Sequence, residues 1–283
     1  MKHLLCFGMG YSATALARRL GDDWKVTGTY RSPEAKAVLA AAGYGQVPFD
    51  GSAALPPRAL DGVTHLLMSI APGKDGDPVL SQCADQIIAQ AGRLDWAGYL
   101  STTGVYGDRA GGWVDETSDL IPSTERGKRR LEAENGWLEL HAAHGLPVHL
   151  FRLAGIYGPG RNQLESVRKG AARRVIKPGQ VFSRIHVDDI AGVVAASVAR
   201  PNPGTAYNVC DDEAAPPQEV VAYAAQLLGV EPPPQIAFDE AEMSPMGRSF
   251  YAESKRVSNE RMKQELGYQL IYPTFREGLK ALL

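Results

Sequence analysis

Short apolar runs alternate with stretches of helical spacing along the first half of the chain. Residues 4–7 form an apolar run that Gly8 cuts, and 15–20 place apolar side chains at helical spacing, which predicts strand, tight turn and helix. The same signals predict further strands over 26–30, 47–49, 63–68, 96–100 and 148–153, with helices over 33–42, 79–92 and 127–144 between them. Strands alternating with helices build a parallel sheet covered on both faces, so the expected fold class is α/β, a doubly wound parallel sheet.

Beyond residue 155 the alternation fades. The segments 181–186, 188–199, 207–209, 217–228 and 254–266 mix short strands and helices, and the proline-rich stretches 200–204 and 231–234 read as stiff surface connections. The pattern predicts a sheet domain over 1–155, completed by later strands, and a smaller mixed α/β C-terminal lobe over 156–283 that caps the carboxyl edge of the sheet.

Composition narrows the function classes. With 283 residues, 44% hydrophobic and 22% charged, and a formal net charge of −2, the chain can bury a large core and carries no overall basic field to attract nucleic acid. Its three cysteines, Cys6, Cys83 and Cys210, make no metal-ligand spacing and read as free thiols in a reducing compartment. No run approaches the roughly 18 apolar residues of a membrane span, and the run ended by Gly8 is too short for a signal-peptide core. The expected location is the cytoplasm.

Gly8-Met9-Gly10-Tyr11-Ser12-Ala13 is a G-x-G-x-x-A turn set directly after the first strand and opening the first helix. Its glycines allow a tight turn and close approach of a pyrophosphate, Ala13 lets helix and strand pack, and the helix start offers N–H groups and a positive dipole to phosphates. This turn makes the 1–155 domain a Rossmann domain. About 20 residues on, where a carboxylate would bind the ribose of NAD, the chain has Tyr30-Arg31-Ser32. A guanidinium and a hydroxyl accept a 2′-phosphate that a carboxylate would repel, so NADP is expected over NAD.

Four segments then show a resemblance. Residues 100–107 end in Val105-Tyr106-Gly107, 151–161 end in Tyr157-Gly158-Pro159-Gly160-Arg161, 185–191 open with Ile185-His186-Val187-Asp188-Asp189, and Tyr207-Asn208-Val209 follows. Together they resemble the extended short-chain dehydrogenase/reductase superfamily, its NAD-dependent epimerase/dehydratase group and especially its atypical members, over nearly the whole chain. The resemblance implies that Asp50, before Gly51, meets the adenine amine, that Ser69-Ile70-Ala71 passes the phosphates and ribose, and that Leu153 lies near the nicotinamide. Asp50 also reads as a turn cap, and Asp188 and Asp189 as helix-start residues favoured by the dipole.

In the resembling enzymes a Ser or Thr and a Tyr-x-x-x-Lys pair carry proton transfer. Thr102 fits the Ser/Thr place, but Arg126-Gly127-Lys128-Arg129-Arg130 puts Arg126 at the tyrosine and Arg130 at the lysine, with Gly127 and Glu134 of the pattern kept. An arginine stays protonated near neutral pH and cannot exchange that proton, though it can bind an anion or a developing oxyanion. One turn apart, Arg126 and Arg130 are expected to share an anion-accepting face. Tyr106 reads as architectural or site-lining.

The expected function is an NADP-dependent oxidoreductase of epimerase/dehydratase type with altered proton chemistry. The alternative is a non-catalytic NADP-binding redox sensor or scaffold, and an ordinary nucleotide-sugar epimerase or dehydratase is the weakest reading. Expected partners are a small anionic substrate and a second copy of the chain, with neither nucleic acid nor membrane; no metal is expected.

Overall fold

The computed structural model describes residues 1–283, apart from the side chain of Met246. In chain order the elements begin β1 (Lys2–Phe7), α1 (Tyr11–Leu20), β2 (Trp24–Tyr30), α2 (Pro33–Ala41), β3 (Gly45–Pro48), β4 (His65–Met68), α3 (Pro78–Ile88) and β5 (Trp96–Thr102). They continue with β6 (Trp113–Val114), α4 (Glu125–His144), β7 (Val148–Leu153), β8 (Gly155–Tyr157), α5 (Gln163–Arg168), β9 (Arg174–Ile176), β10 (Arg184–His186) and α6 (Val187–Ala199). The last are β11 (Ala206–Val209), α7 (Pro217–Leu227), β12 (Gln235–Ala237), α8 (Pro245–Phe250), β13 (Arg256–Val257), α9 (Glu260–Leu266) and α10 (Phe275–Lys280).

Seven strands form one sheet in the order β11-β7-β5-β4-β1-β2-β3. The ladders from β5 through β4, β1 and β2 to β3 are parallel, with Leu4 level with Val26 on one side and His65 on the other. Runs buried at every position, such as His65–Met68, arise because both faces of the sheet are covered. Alternate residues sort between the faces. Leu5 and Phe7 of β1, Leu66 and Met68 of β4, and Ala97 and Tyr99 of β5 share a core with Val79, Cys83 and Ile87 of α3 and with Ala133 and Trp137 of α4.

The chain divides into two compact units: Met1–Thr102, Lys128–Arg152 and Ile190–Tyr207 in the first, and Thr103–Gly127, Leu153–Asp189 and Asn208–Leu283 in the second. It thus passes between them at five places, and β11 is a strand beyond residue 155 that joins the main sheet. Within the second unit, three two-stranded parallel pairs form, β10 with β8, β12 with β9 and β13 with β6. Its core gathers Tyr157, Leu164, Ala215, Val220, Ala224, Phe275 and Leu279.

Local chemistry sets the element ends. Helix α4 starts before residue 127 because Thr124 caps it, its Oγ1 accepting from Gly127 N at 3.1 Å. Helix α3 stops at Ile88, short of the expected 92, and a separate 3₁₀ turn covers Ala91–Arg93. All three cysteines are buried free thiols. Among the described residues no helix is long and apolar enough to cross a membrane, and no cluster of His, Cys, Asp and Glu could hold a metal ion.

Candidate functional site

Strands β4, β1, β2 and β3 lie side by side and run the same way, so the segments after their carboxyl ends come together. These are Ser69-Ile70-Ala71, Gly8 to Ser12, Tyr30-Arg31-Ser32 and Asp50-Gly51, all in the first unit. In open α/β sheets this carboxyl edge is where ligands bind.

The turn after β1 uses its two glycines differently. Gly8 has φ +84°, and a Cβ there would sit 2.8 Å from Ile70 Cγ1, so both conformation and the neighbouring loop demand glycine. Its N–H donates to Thr29 Oγ1 at 2.8 Å, and Ser69 N donates to the Phe7 carbonyl at 2.9 Å, which ties the loops after β1 and β4 to the sheet. Gly10 has φ −84°, open to any residue, and a Cβ there would meet nothing within 4 Å. The space left beside Gly10 adjoins the start of α1, where among the described residues no side chain caps the helix and no acid stands in the first turn. Backbone N–H groups and the positive end of the helix dipole therefore border open space, a setting that favours an anion. Met9 packs inward: a Cβ on Gly28 would come 3.0 Å from its Cβ.

At the end of β2, Arg31 is exposed and Ser32 caps α2, its Oγ accepting from Ala35 N at 3.3 Å. A second cation joins them that the sequence reading missed: Lys36, four residues after the cap, holds its Nζ 5.8 Å from the Tyr30 ring. Glu34 lies in the same helical turn, its carboxyl held below the usual range by its own backbone N–H and by the Ser32 hydroxyl. Asp50 Oδ1 accepts from Ser52 N at 2.9 Å and from Ser52 Oγ at 2.7 Å, which lowers its pKa. Gly51, at φ +88°, brings this turn against α3, where a Cβ would stand 2.9 Å from Pro78 Cβ.

The helix that carries the tyrosine and lysine positions is tightly framed. A Cβ on Gly127 would meet the Gly104 carbonyl at 2.8 Å and Pro122 Cβ at 2.9 Å, so only glycine lets the first turn of α4 approach residues 103–106. Further along, Glu134 is buried, accepts from Ser101 Oγ at 2.5 Å and pairs with Arg152 Nη2 at 2.8 Å. The glycine and glutamate of the motif are therefore structural.

The two arginines of that frame have different partners. Arg130 turns onto β5, where its Nη1 donates to the Leu100 carbonyl at 2.5 Å and to the Tyr99 hydroxyl at 3.2 Å. Arg126 is exposed, and its guanidinium stacks on Phe250 with the ring centroid at 4.7 Å. Thr102 is half-buried at the end of β5, and Leu153 is buried at the end of β7, on the second unit's side of the division. Tyr106 is fully buried, its hydroxyl donating to Asn208 Oδ1 at 2.7 Å. Asp189, also buried, accepts from Tyr268 Oη and from the backbone of Ile271 and Tyr272, so it fastens the loop before α10.

No protein-family model matches the chain. A solved structure of a conserved protein of unknown function from Silicibacter pomeroyi is 54% identical over 100% of this chain and 98% of that one, with a TM-score of 0.92. Protein YeeZ of Escherichia coli K12 is 29% identical over 96% of this chain and 97% of its own length. The dTDP-glucose 4,6-dehydratase of Bacillus anthracis, solved in complex with NAD, superimposes with a TM-score of 0.78 over 99% of this chain and 94% of its own, at 17% identity. The chain shares the Rossmann-like α/β fold of that dehydratase. Its seven-stranded parallel sheet with flanking helices is the epimerase/dehydratase form of that fold.

Proposed function

We propose that this protein is a member of the extended short-chain dehydrogenase/reductase superfamily that binds a nicotinamide adenine dinucleotide in its first unit, with NADP preferred, and works without the tyrosine–lysine proton relay. The observation that carries the reading is the cradle at Gly10: open space where a Cβ would stand, beside an uncapped helix start. The protein alone has no need of glycine there, whereas a pyrophosphate pressed against the backbone does. That the Bacillus anthracis dehydratase of the same fold was solved with NAD supports the cofactor class.

In this reading the N–H groups opening α1 hold the pyrophosphate, and Ser69 to Ala71 pass the phosphates and ribose. Asp50 accepts from the adenine amine through the carboxylate edge left beside its Ser52 turn. Arg31, Ser32 and Lys36 receive the 2′-phosphate, which two cations and a hydroxyl favour and no carboxylate at 30–32 opposes. The nicotinamide, when bound, supplies hydride acceptance or donation. Proton chemistry accompanying it cannot come from Arg126 or Arg130, which stay protonated, so it falls to the substrate, to solvent or to another side chain. In this reading Thr102 would supply the hydroxyl that orients a reacting oxygen, as its place in the sequence resemblance suggests.

A second reading, a binding protein that senses the redox state of NADP without turning over, is favoured by one observation. Both residues at the tyrosine and lysine positions are engaged structurally, Arg130 with β5 and Arg126 with Phe250. Fluorescence titration with NADPH of the wild type and the Arg31→Ala, Lys36→Ala double variant tests the cofactor assignment. The double variant is expected to lose roughly tenfold or more in NADPH affinity and little for NADH; equal losses for both would remove the 2′-phosphate role.

A further inference from the structure

Arg126, in the first turn of α4, carries a charge that the second unit leaves unmatched. It is exposed, and its guanidinium lies over the ring of Phe250, itself 49% exposed, with Cζ 4.7 Å from the centroid. A ring contact engages the face of a guanidinium and leaves its fork of N–H donors unspent. Among the described residues none of those donors has a protein acceptor, and no carboxylate stands within ion-pair distance of Arg126. Glu253, three residues after Phe250, is already committed: one oxygen accepts from Ser123 Oγ at 2.6 Å and the other pairs with Lys255 Nζ at 2.7 Å.

Both halves of this pair are held in place. The Thr124 cap and the fit of Gly127 against the Gly104 carbonyl and Pro122 fix where Arg126 leaves the backbone. Phe250 ends α8, and the next residue, Tyr251, packs on Phe182 and Phe238 with ring centroids 5.5 Å and 5.4 Å away. The Ser123–Glu253 hydrogen bond lies three residues from the Arg126–Phe250 contact on each segment, so two ties join the segments. A side chain with the rotamer freedom of arginine is thus ordered without a hydrogen bond in return, beside a large ring left about half in water. Unspent donors and uncovered ring together leave room for a ligand that uses both.

We infer that Arg126 and Phe250 form a surface site for a small organic carboxylate carried on an apolar or aromatic body. Both carboxylate oxygens accept from the guanidinium fork, a planar match that a lysine does not offer, and the body rests against the exposed part of the Phe250 ring. The ring gives the ligand apolar contact that a bare inorganic anion has no means to use. One cation meets one anion, so the charges balance. Arg130, the other arginine of the motif, has its Nη1 committed to the Leu100 carbonyl and the Tyr99 hydroxyl. The anion-accepting role expected of both therefore rests on Arg126 alone.

The site lies in the second unit alone and does not depend on the cofactor reading. Both side chains are exposed, so their substitution is compatible with the fold. Saturation-transfer NMR titration of the full chain at low salt, with sodium benzoate and separately with sodium acetate, reads the site. The wild type is expected to bind benzoate with a Kd of about 1 mM or tighter, and acetate roughly fivefold or more weakly, since acetate has no body to set on the ring. Arg126→Gln is expected to lose roughly tenfold or more in benzoate affinity, and Arg126→Lys, which keeps the charge without the fork, roughly fivefold. Phe250→Ala is expected to erase the advantage of benzoate over acetate. Absence of benzoate binding by the wild type would overturn the inference, as would an Arg126→Gln affinity within about twofold of wild type. So would a benzoate advantage that survives in Phe250→Ala.

Discussion

Arg152 grips Glu134 with Nη2 at 2.8 Å and Nε at 3.2 Å from one carboxylate oxygen, and the pair is almost wholly buried between β7 and α4. Removing one member of such a pair strands the other charge in the core, which costs far more than the pair gains over an apolar equivalent. Glu134→Gln is therefore expected to destabilise the fold by about 3–5 kcal/mol. Urea denaturation followed by circular dichroism measures it, and a loss within experimental scatter of zero would mean the pair bears no stress.

Gly127 and Gly10 make opposite predictions for the same substitution. Gly127→Ala drives a Cβ to 2.8 Å from the Gly104 carbonyl and is expected to cost roughly 1–3 kcal/mol as α4 shifts from residues 103–106. Gly10→Ala meets open space and is expected to change stability by less than about 1 kcal/mol. Its effect falls on the ligand: NADPH affinity drops by roughly tenfold or more because the methyl fills the pyrophosphate cradle. Thermal melts and NADPH titration of the two variants separate packing from binding.

Asp211 makes stability depend on pH with a definite sign. An ordinary aspartate, as in the unfolded chain, titrates near 3.8, and burial raises Asp211 in the fold to about 8. Between these values the folded chain holds a proton that the unfolded chain has released, so this group's stabilisation is complete below the lower value and is lost as pH rises toward the upper one. Asp211→Asn removes the dependence. The Tm of the variant minus that of the wild type is expected to grow across this window, reaching roughly 2–4 °C near pH 8. A difference that stays flat with pH would place Asp211 in a solvated, ordinary state.

Strands β1 and β4, whose carboxyl ends border the candidate site, were legible because they are buried on both faces. Runs such as Leu4–Phe7 and Leu66–Met68 stay apolar at successive positions. Three-residue strands such as β8 and β9 left no such trace, since their pairing is decided by β10 and β12, which lie up to about sixty residues away. The interleaving of the two units is likewise a matter of contacts between distant segments.

Within the site, the glycine turn and Arg31 stand in the sequence because backbone conformation and charge are local properties. Lys36 was passed over although its place four residues after the Ser32 cap puts it at the same end of α2, a spacing that could have signalled it. Glu134 was visible as part of a motif, but its partner Arg152 lies on another element, so the ion pair was not. Arg126 and Arg130 share a helix, and their side chains nevertheless serve different neighbours; helical spacing alone does not say where a long side chain ends.

The most direct test of the account is equilibrium titration of the wild-type protein with NADPH and with NADH, read by cofactor fluorescence at low salt. Two cations and a hydroxyl at the adenosine end predict NADPH binding tighter than NADH by roughly tenfold or more. NADH binding as tight as or tighter than NADPH would contradict the assignment of Arg31 and Lys36, and binding of neither would contradict the dinucleotide site itself.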